Sequence, residues 1–225
     1  MTEIALPALS LRNSAVAKWV RDQDVAVDVR SSEDLGVALA AGVHPARVTL
    51  HADGLTANEI LFCTANLAVG RVVVNSTEQV DLLCSVGPQR RQGVFVRMPD
   101  ANAPAYGPAR EADDAIGAIL DQRRLDLLGL QCEIGPRERD FISYPAAIGH
   151  MIAAMAHIRD DRGVVLTRLA LGGGRAVPPG NWAVQLPHLA SEIDESLDDA
   201  CATLRFPRPM VTVSAGLAIL GQEAA

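Results

Sequence analysis

Lysine is almost missing from this 225-residue chain: of its 20 lysine and arginine residues only Lys18 is a lysine, which leaves nineteen arginines. Chemistry that needs a lysine amine therefore has one side chain to draw on. Aromatic residues are scarce too, at 4% against 49% hydrophobic overall, so any core is aliphatic. Basic residues are outnumbered, 20 against 27 acidic, for a formal charge of −7. That balance excludes the basic stripe that nucleic-acid phosphates require, and no nucleic-acid partner is expected. No run approaches the ~18 apolar residues of a membrane span, and the opening MTEIALPALSLRNS has no basic segment leading into a long apolar stretch. A cytoplasmic protein with no membrane partner is expected. The cysteines, Cys63, Cys84, Cys132 and Cys201, lack C-x-x-C spacing, and neither H-E-x-x-H nor G-x-S-x-G occurs. No metal site and no acyl-hydrolase elbow is expected, and the thiols read as reduced and buried.

What is present is an alternation. Short β-branched or aliphatic runs at residues 3–9, 25–29, 47–52, 71–76, 93–98, 127–134, 167–173 and 210–216 read as strands. Between them lie helical stretches at 13–22, 32–41, 56–69, 77–84, 109–123, 140–159 and 187–204. Thr56 followed by Glu59 has capping-box spacing, and Gly42 and Gly70 supply helix stops. Repeated β-α units favour parallel strands with right-handed crossovers, and eight of them favour closure over an open doubly wound sheet. The fold expected is α/β, a (β/α)8 TIM-type barrel forming a single domain over residues 1–225. Only LAILGQEAA follows the last strand, so the eighth helix is expected to be missing or vestigial.

In such barrels the site lies at the C-terminal ends of the strands. Those ends carry Asp28, His51, Asn75, Arg97, Glu133, Gly172 to Gly174 and Ser214, a row of polar groups and glycines closing otherwise aliphatic strands. In GLQCEIG the strand period of two puts Gln131 and Glu133 on one face and Leu130 and Cys132 on the other. Asp28, His51, Arg97, Gln131 and Glu133 are the pocket candidates. Glycines after strands seven and eight let backbone N–H groups approach an anion, so Gly172, Gly173, Gly174 and Gly216 are the candidate phosphate loop and a phosphorylated small molecule the candidate ligand.

The run from VDVRSSEDLG through RVVVNSTEQV, continued by GVFVRM, LLGLQCEIG and LALGGGRAVPPG, resembles the alanine-racemase-like barrel of pyridoxal-phosphate-dependent decarboxylases of the diaminopimelate and ornithine type. The resemblance implies a cofactor held by a Schiff base to a lysine on the first strand, where this chain has Pro7. It places Glu133 at a histidine that stacks on the cofactor ring and Pro136 at a phosphate-holding serine. Ser214 and Leu217 stand at the glutamate and arginine of the family's E-P-G-R. Asp28, Arg97, Gly172, Gly173, Gly174 and Gly216 survive. The reading implied is a pseudoenzyme with no covalently bound cofactor, pyridoxal phosphate entering by resemblance alone, and without the family's C-terminal β-domain. Two alternatives stand beside it. One is an enzyme or small-molecule-binding protein with changed chemistry, in which Glu133, with Asp28 and Arg97, serves as base or polar contact. The other is a regulatory partner of an active decarboxylase, in a homo- or hetero-dimer.

Overall fold

The computed structural model describes residues 2–85, 91–99, 108–135, 141, 143–173 and 182–214. Eight parallel strands follow one another in chain order: β1 (Thr2–Pro7), β2 (Ala26–Val29), β3 (Val48–His51), β4 (Arg71–Val74), β5 (Gln92–Arg97), β6 (Leu125–Ile134), β7 (Arg168–Gly173) and β8 (Met210–Ser214). They close into a barrel in the order β1 to β8, which is the expected α/β fold. Strands covered on both faces need no polar alternation. Accordingly β2, β3 and most of β4 are buried residue by residue, although Asp28, Thr49 and His51 lie among them.

The helices between are α1 (Ser14–Asp22), α2 (Ser32–Ala40), α3 (Ala57–Leu61), α4 (Thr77–Ser85), α5 (Pro108–Leu120), α6 (Tyr144–Arg162) and α7 (Trp182–Leu204). Their ends follow local chemistry. Asn13 accepts from the backbone N–H groups of Ala15 and Val16, Ser31 caps α2, and Thr56 and Glu59 complete the capping box of α3. Helix α6 starts behind Ser143 and stops at Gly163, whose φ of 69° lies in the left-handed region.

Several boundaries differ from expectation: β6 begins two residues early at Leu125, α5 ends at Leu120 and α6 runs Tyr144–Arg162, and three further differences have a local cause or a larger extent. Strand β1 ends at Pro7 rather than residue 9, because the chain turns into a 3-10 segment, Ala8–Arg12. Helix α7 begins at Trp182, five residues before the expected start. The helix expected over 56–69 is α-helical only to Leu61 and then widens into a π turn, Phe62–Asn66. There the Thr64 hydroxyl donates to the Ile60 carbonyl at 2.8 Å, competing for an acceptor of the ladder, and Leu67 N–H reaches back five residues to Phe62. The stretch expected to hold a vestigial eighth helix lies outside the described residues.

The contacts group into two compact units. One takes Ala5–Met98 and Pro104–Leu128, the other Met1–Ile4, Pro99–Ala103 and Gly129–Ala225. The core of the first is built on Val27, Leu50, Val72, Val94, Phe95 and Ile116, all essentially inaccessible. The second centres on Leu130, Ile148, Met151, Ile152, Met155 and Leu169, where α6 packs against α7. Both are aliphatic, as the shortage of aromatics requires.

Candidate functional site

In the first unit, β2, β3 and β5 bring Asp28, His51 and Arg97 together. Asp28 and His51 are 5% and 2% exposed. The Arg97 guanidinium donates to His51 Nδ1 at 2.8 Å and forms an ion pair with Asp53, in the turn just after β3. An arginine has hydrogens and no acceptor, so Nδ1 accepts and the proton of the neutral imidazole sits on Nε2. That Nε2–H is directed towards Asp28, whose Oδ1 lies 3.6 Å away, outside hydrogen-bond range, and Nε2 has no bonded partner among the described residues. Burial is the main influence pushing the His51 pKa below its ordinary 6.5; the charges of Arg30 and Arg97 push the same way, and Asp28 opposes them. His51 at neutral pH is therefore an uncharged donor rather than a base at Nε2.

The surrounding backbone is fitted to this arrangement. Asp34, 8% exposed on α2, accepts from Arg30 N–H at 2.8 Å and so fixes the exit of β2. Gly54 closes the turn carrying Asp53 against the Arg30 carbonyl, where a side-chain carbon would come within 1.8 Å of the oxygen. Pro7, half-buried at the end of β1, pairs in register with Asp28. Lys18 stands elsewhere: on α1, with its side chain 71% exposed and ion-paired to Asp22 one turn on.

In the second unit, Gln131 and Glu133 share a face of β6, as the period of two requires. Gln131 is 1% exposed and Glu133 half-buried. The Gln131 amide donates to the Cys132 carbonyl at 2.9 Å and to Glu133 Oε1 at 2.7 Å. Glu133 is registered with Gly172 on β7, and Ile134 with Gly173. Ser214 ends β8, buried. Asn75, after β4, donates its backbone N–H to Gln79 Oε1 at 2.8 Å. Of the candidate phosphate loop, Gly172 and Gly173 are described; Gly174 and Gly216 lie outside the described residues, as do Pro136 and Leu217.

Asp53, Asp34 and Arg30 escaped the sequence reading. The one available signal was Asp53 two residues beyond His51 in HADG, where an acidic turn residue follows a strand end. Among the described residues no group of three His, Cys, Asp or Glu is arranged to hold a metal, and no helix is long and apolar enough to cross a membrane. Cys63, Cys132 and Cys201 are buried, unbridged thiols and Cys84 is partly so; burial pushes Cys63 up to about 11 and Cys132 well above the usual thiol range.

Comparison with known proteins places this geometry in a context. Residues 2–221 match the family described as "Pyridoxal-dependent decarboxylase, pyridoxal binding domain". A diaminopimelate decarboxylase of Actinosynnema pretiosum subsp. auranticum is 30% identical over 240 residues, a match covering 98% of this chain and 53% of the relative. That of Corynebacterium efficiens is 27% identical over 229 residues, covering 93% of this chain and 50% of the relative. The chain thus spans about half the length of the curated relatives it matches. Among solved structures, a diaminopimelate decarboxylase from M. jannaschii superposes with a TM-score of 0.77 at 16% identity, covering 97% of this chain and 54% of that one. A lysine decarboxylase from Selenomonas ruminantium gives 0.74 at 19% identity, covering 97% and 57%. These likenesses establish the barrel.

Proposed function

Since the chain belongs to the pyridoxal-binding-domain family of pyridoxal-dependent decarboxylases, and its only lysine lies on the outer helix α1, we propose that it is a catalytically degenerate member that keeps the barrel and a polar strand-end site without Schiff-base chemistry. In this family the cofactor supplies the electron sink for decarboxylation, and the protein must first hold its aldehyde on an amine. The residues present do not fit that attachment. Pro7 stands where the resemblance puts the lysine, and its nitrogen is locked in the main chain at the end of β1. Lys18 is exposed and paired with Asp22.

The observation that carries the reading is the position of that single lysine. The polar chain that runs from exposed Asp53 through half-buried Arg97 to buried His51, with buried Asp28 beside it, supports a role in binding a small polar ligand instead. The test is direct. Purified protein mixed with pyridoxal phosphate and reduced with borohydride is expected to carry no pyridoxyl adduct within the barrel when its peptides are mapped by mass. A stoichiometric imine band that Lys18→Ala abolishes, accompanied by carbon dioxide release from diaminopimelate, would overturn the proposal.

A further inference from the structure

A cavity of about 110 Å³ opens in the first unit where the chain enters β2 and β3, at the opposite end of these strands from His51. That is room for roughly three or four waters at about 30 Å³ each. One part of its wall is apolar, formed by Val20, Val25 and Val43. The other part carries Arg21, His44 and the pair Arg47–Asp24, whose Nε and Oδ1 lie 3.3 Å apart.

The backbone around the cavity offers little to a cation. At the end of α1 the Val20 carbonyl accepts from Val25 N–H at 3.0 Å. After α2 the Leu39 carbonyl accepts from Gly42 N–H at 3.0 Å and the Ala38 carbonyl from Val43 N–H at 3.2 Å. The Ala41 carbonyl accepts from the Arg21 guanidinium at 2.5 Å. These carbonyls are already engaged, and Asp24 is paired with Arg47.

Donors are in better supply. A guanidinium has five N–H hydrogens, and that of Arg21 uses one on Ala41. Its stem is guided to the cavity: a side-chain carbon at Gly42 would lie 3.7 Å from Arg21 Cδ, an ordinary contact distance. His44 Nδ1 accepts from Ala46 N–H at 3.2 Å, so the hydrogen of the neutral ring sits on Nε2 and is a second donor. Arg21 and Arg47 against Asp24 leave the wall with one net positive charge.

We propose that this cavity binds a small monocarboxylate with a short aliphatic tail. Its oxygens accept from the Arg21 guanidinium and His44 Nε2–H, and its tail lies against the three valines. One negative charge balances the wall, and a guanidinium fork matches a carboxylate. Phosphate, carrying more charge, would have to shed more hydration against the valines and would meet Asp24 as well. The site is separate from the strand ends that hold Asp28 and His51, so it stands or falls independently of any role they have.

The experiment follows backbone amide resonances of the purified chain during titration with sodium propionate, inorganic phosphate and propylammonium chloride at matched ionic strength. Propionate is expected to shift the Gly42 and Val43 amides saturably, phosphate to bind at least tenfold more weakly, and propylammonium to leave these amides unmoved. Arg21→Gln should weaken propionate about tenfold, the scale of losing a charge-assisted hydrogen bond. His44→Asn retains a side-chain acceptor for Ala46 N–H but not the reach of Nε2, and should weaken it about threefold. Arg110→Gln, the same charge change at an exposed site on α5, should leave propionate binding unchanged. Absence of a saturable propionate shift, phosphate binding as tightly as propionate, or equal losses from Arg110→Gln and Arg21→Gln would overturn the proposal.

Discussion

Two glycines share one backbone conformation and differ in their surroundings, which makes them a matched pair for measurement. Gly163, the C-cap of α6, has φ 69° with nothing within 4 Å of a built side-chain carbon; Gly173, at the end of β7, has φ 70° with the Ile134 carbonyl oxygen at 2.2 Å and its carbon at 3.1 Å. Alanine at either site incurs left-handed backbone strain of about 1 kcal/mol. At Gly163 the loss should end there. At Gly173 the β6–β7 seam must also part by roughly 1 Å, and overpacking of that kind adds about 2 kcal/mol. For a chain of this size each kcal/mol lowers the midpoint by about 2–4 °C, so Gly163→Ala should lose about that much and Gly173→Ala about 6–12 °C. Thermal unfolding followed by circular dichroism, with calorimetry to check that the transition is two-state, reads both. Equal losses in the two variants would show that Gly173 is kept for its φ alone and that the close approach to Ile134 has no energetic weight.

Two further predictions concern His51. Proton–nitrogen correlation spectra should show the hydrogen on Nε2 at neutral pH, and Arg97→Gln should raise the His51 pKa, because one of the positive charges depressing it is gone; an unchanged titration would mean that Arg97 does not face the ring. Because the folded pKa lies below the ordinary 6.5, its effect on stability is absent above that value, where folded and unfolded rings are both neutral. As pH falls below about 6.5 the unfolded chain takes up the proton first, so denaturant midpoints should drop until the folded pKa is passed, and His51→Gln should flatten the slope.

Much of this fold was legible from sequence. The strand runs were found because a parallel strand covered on both sides is a nearly unbroken apolar run, and Val72, Val73 and Val74 admit no other reading. The polar exceptions Asp28, His51 and Arg97 stood out against that background for the same reason. The break in the third helix was not legible, since it depends on where the Thr64 hydroxyl turns, which composition does not encode. Asp53 was missed because its role is relational: it matters only as the acid that steadies Arg97, a residue 44 positions away. The glycines of LALGGG show a third limit. Sequence signals that something approaches the backbone closely at Gly172, but not that the visitor is the protein's own Glu133, whose Oε1 would lie 2.6 Å from a side-chain carbon there.

The solitary lysine has a practical consequence. Lys18 is the chain's only side-chain amine, and it projects into solvent, held only by an exposed ion pair that competes weakly with water. Amine-directed reagents therefore have one side-chain target, on a helix outside the strands. A fluorophore, a surface tether or a crosslinker directed to side-chain amines would attach there and leave Asp28, His51, Gln131 and Glu133 chemically untouched.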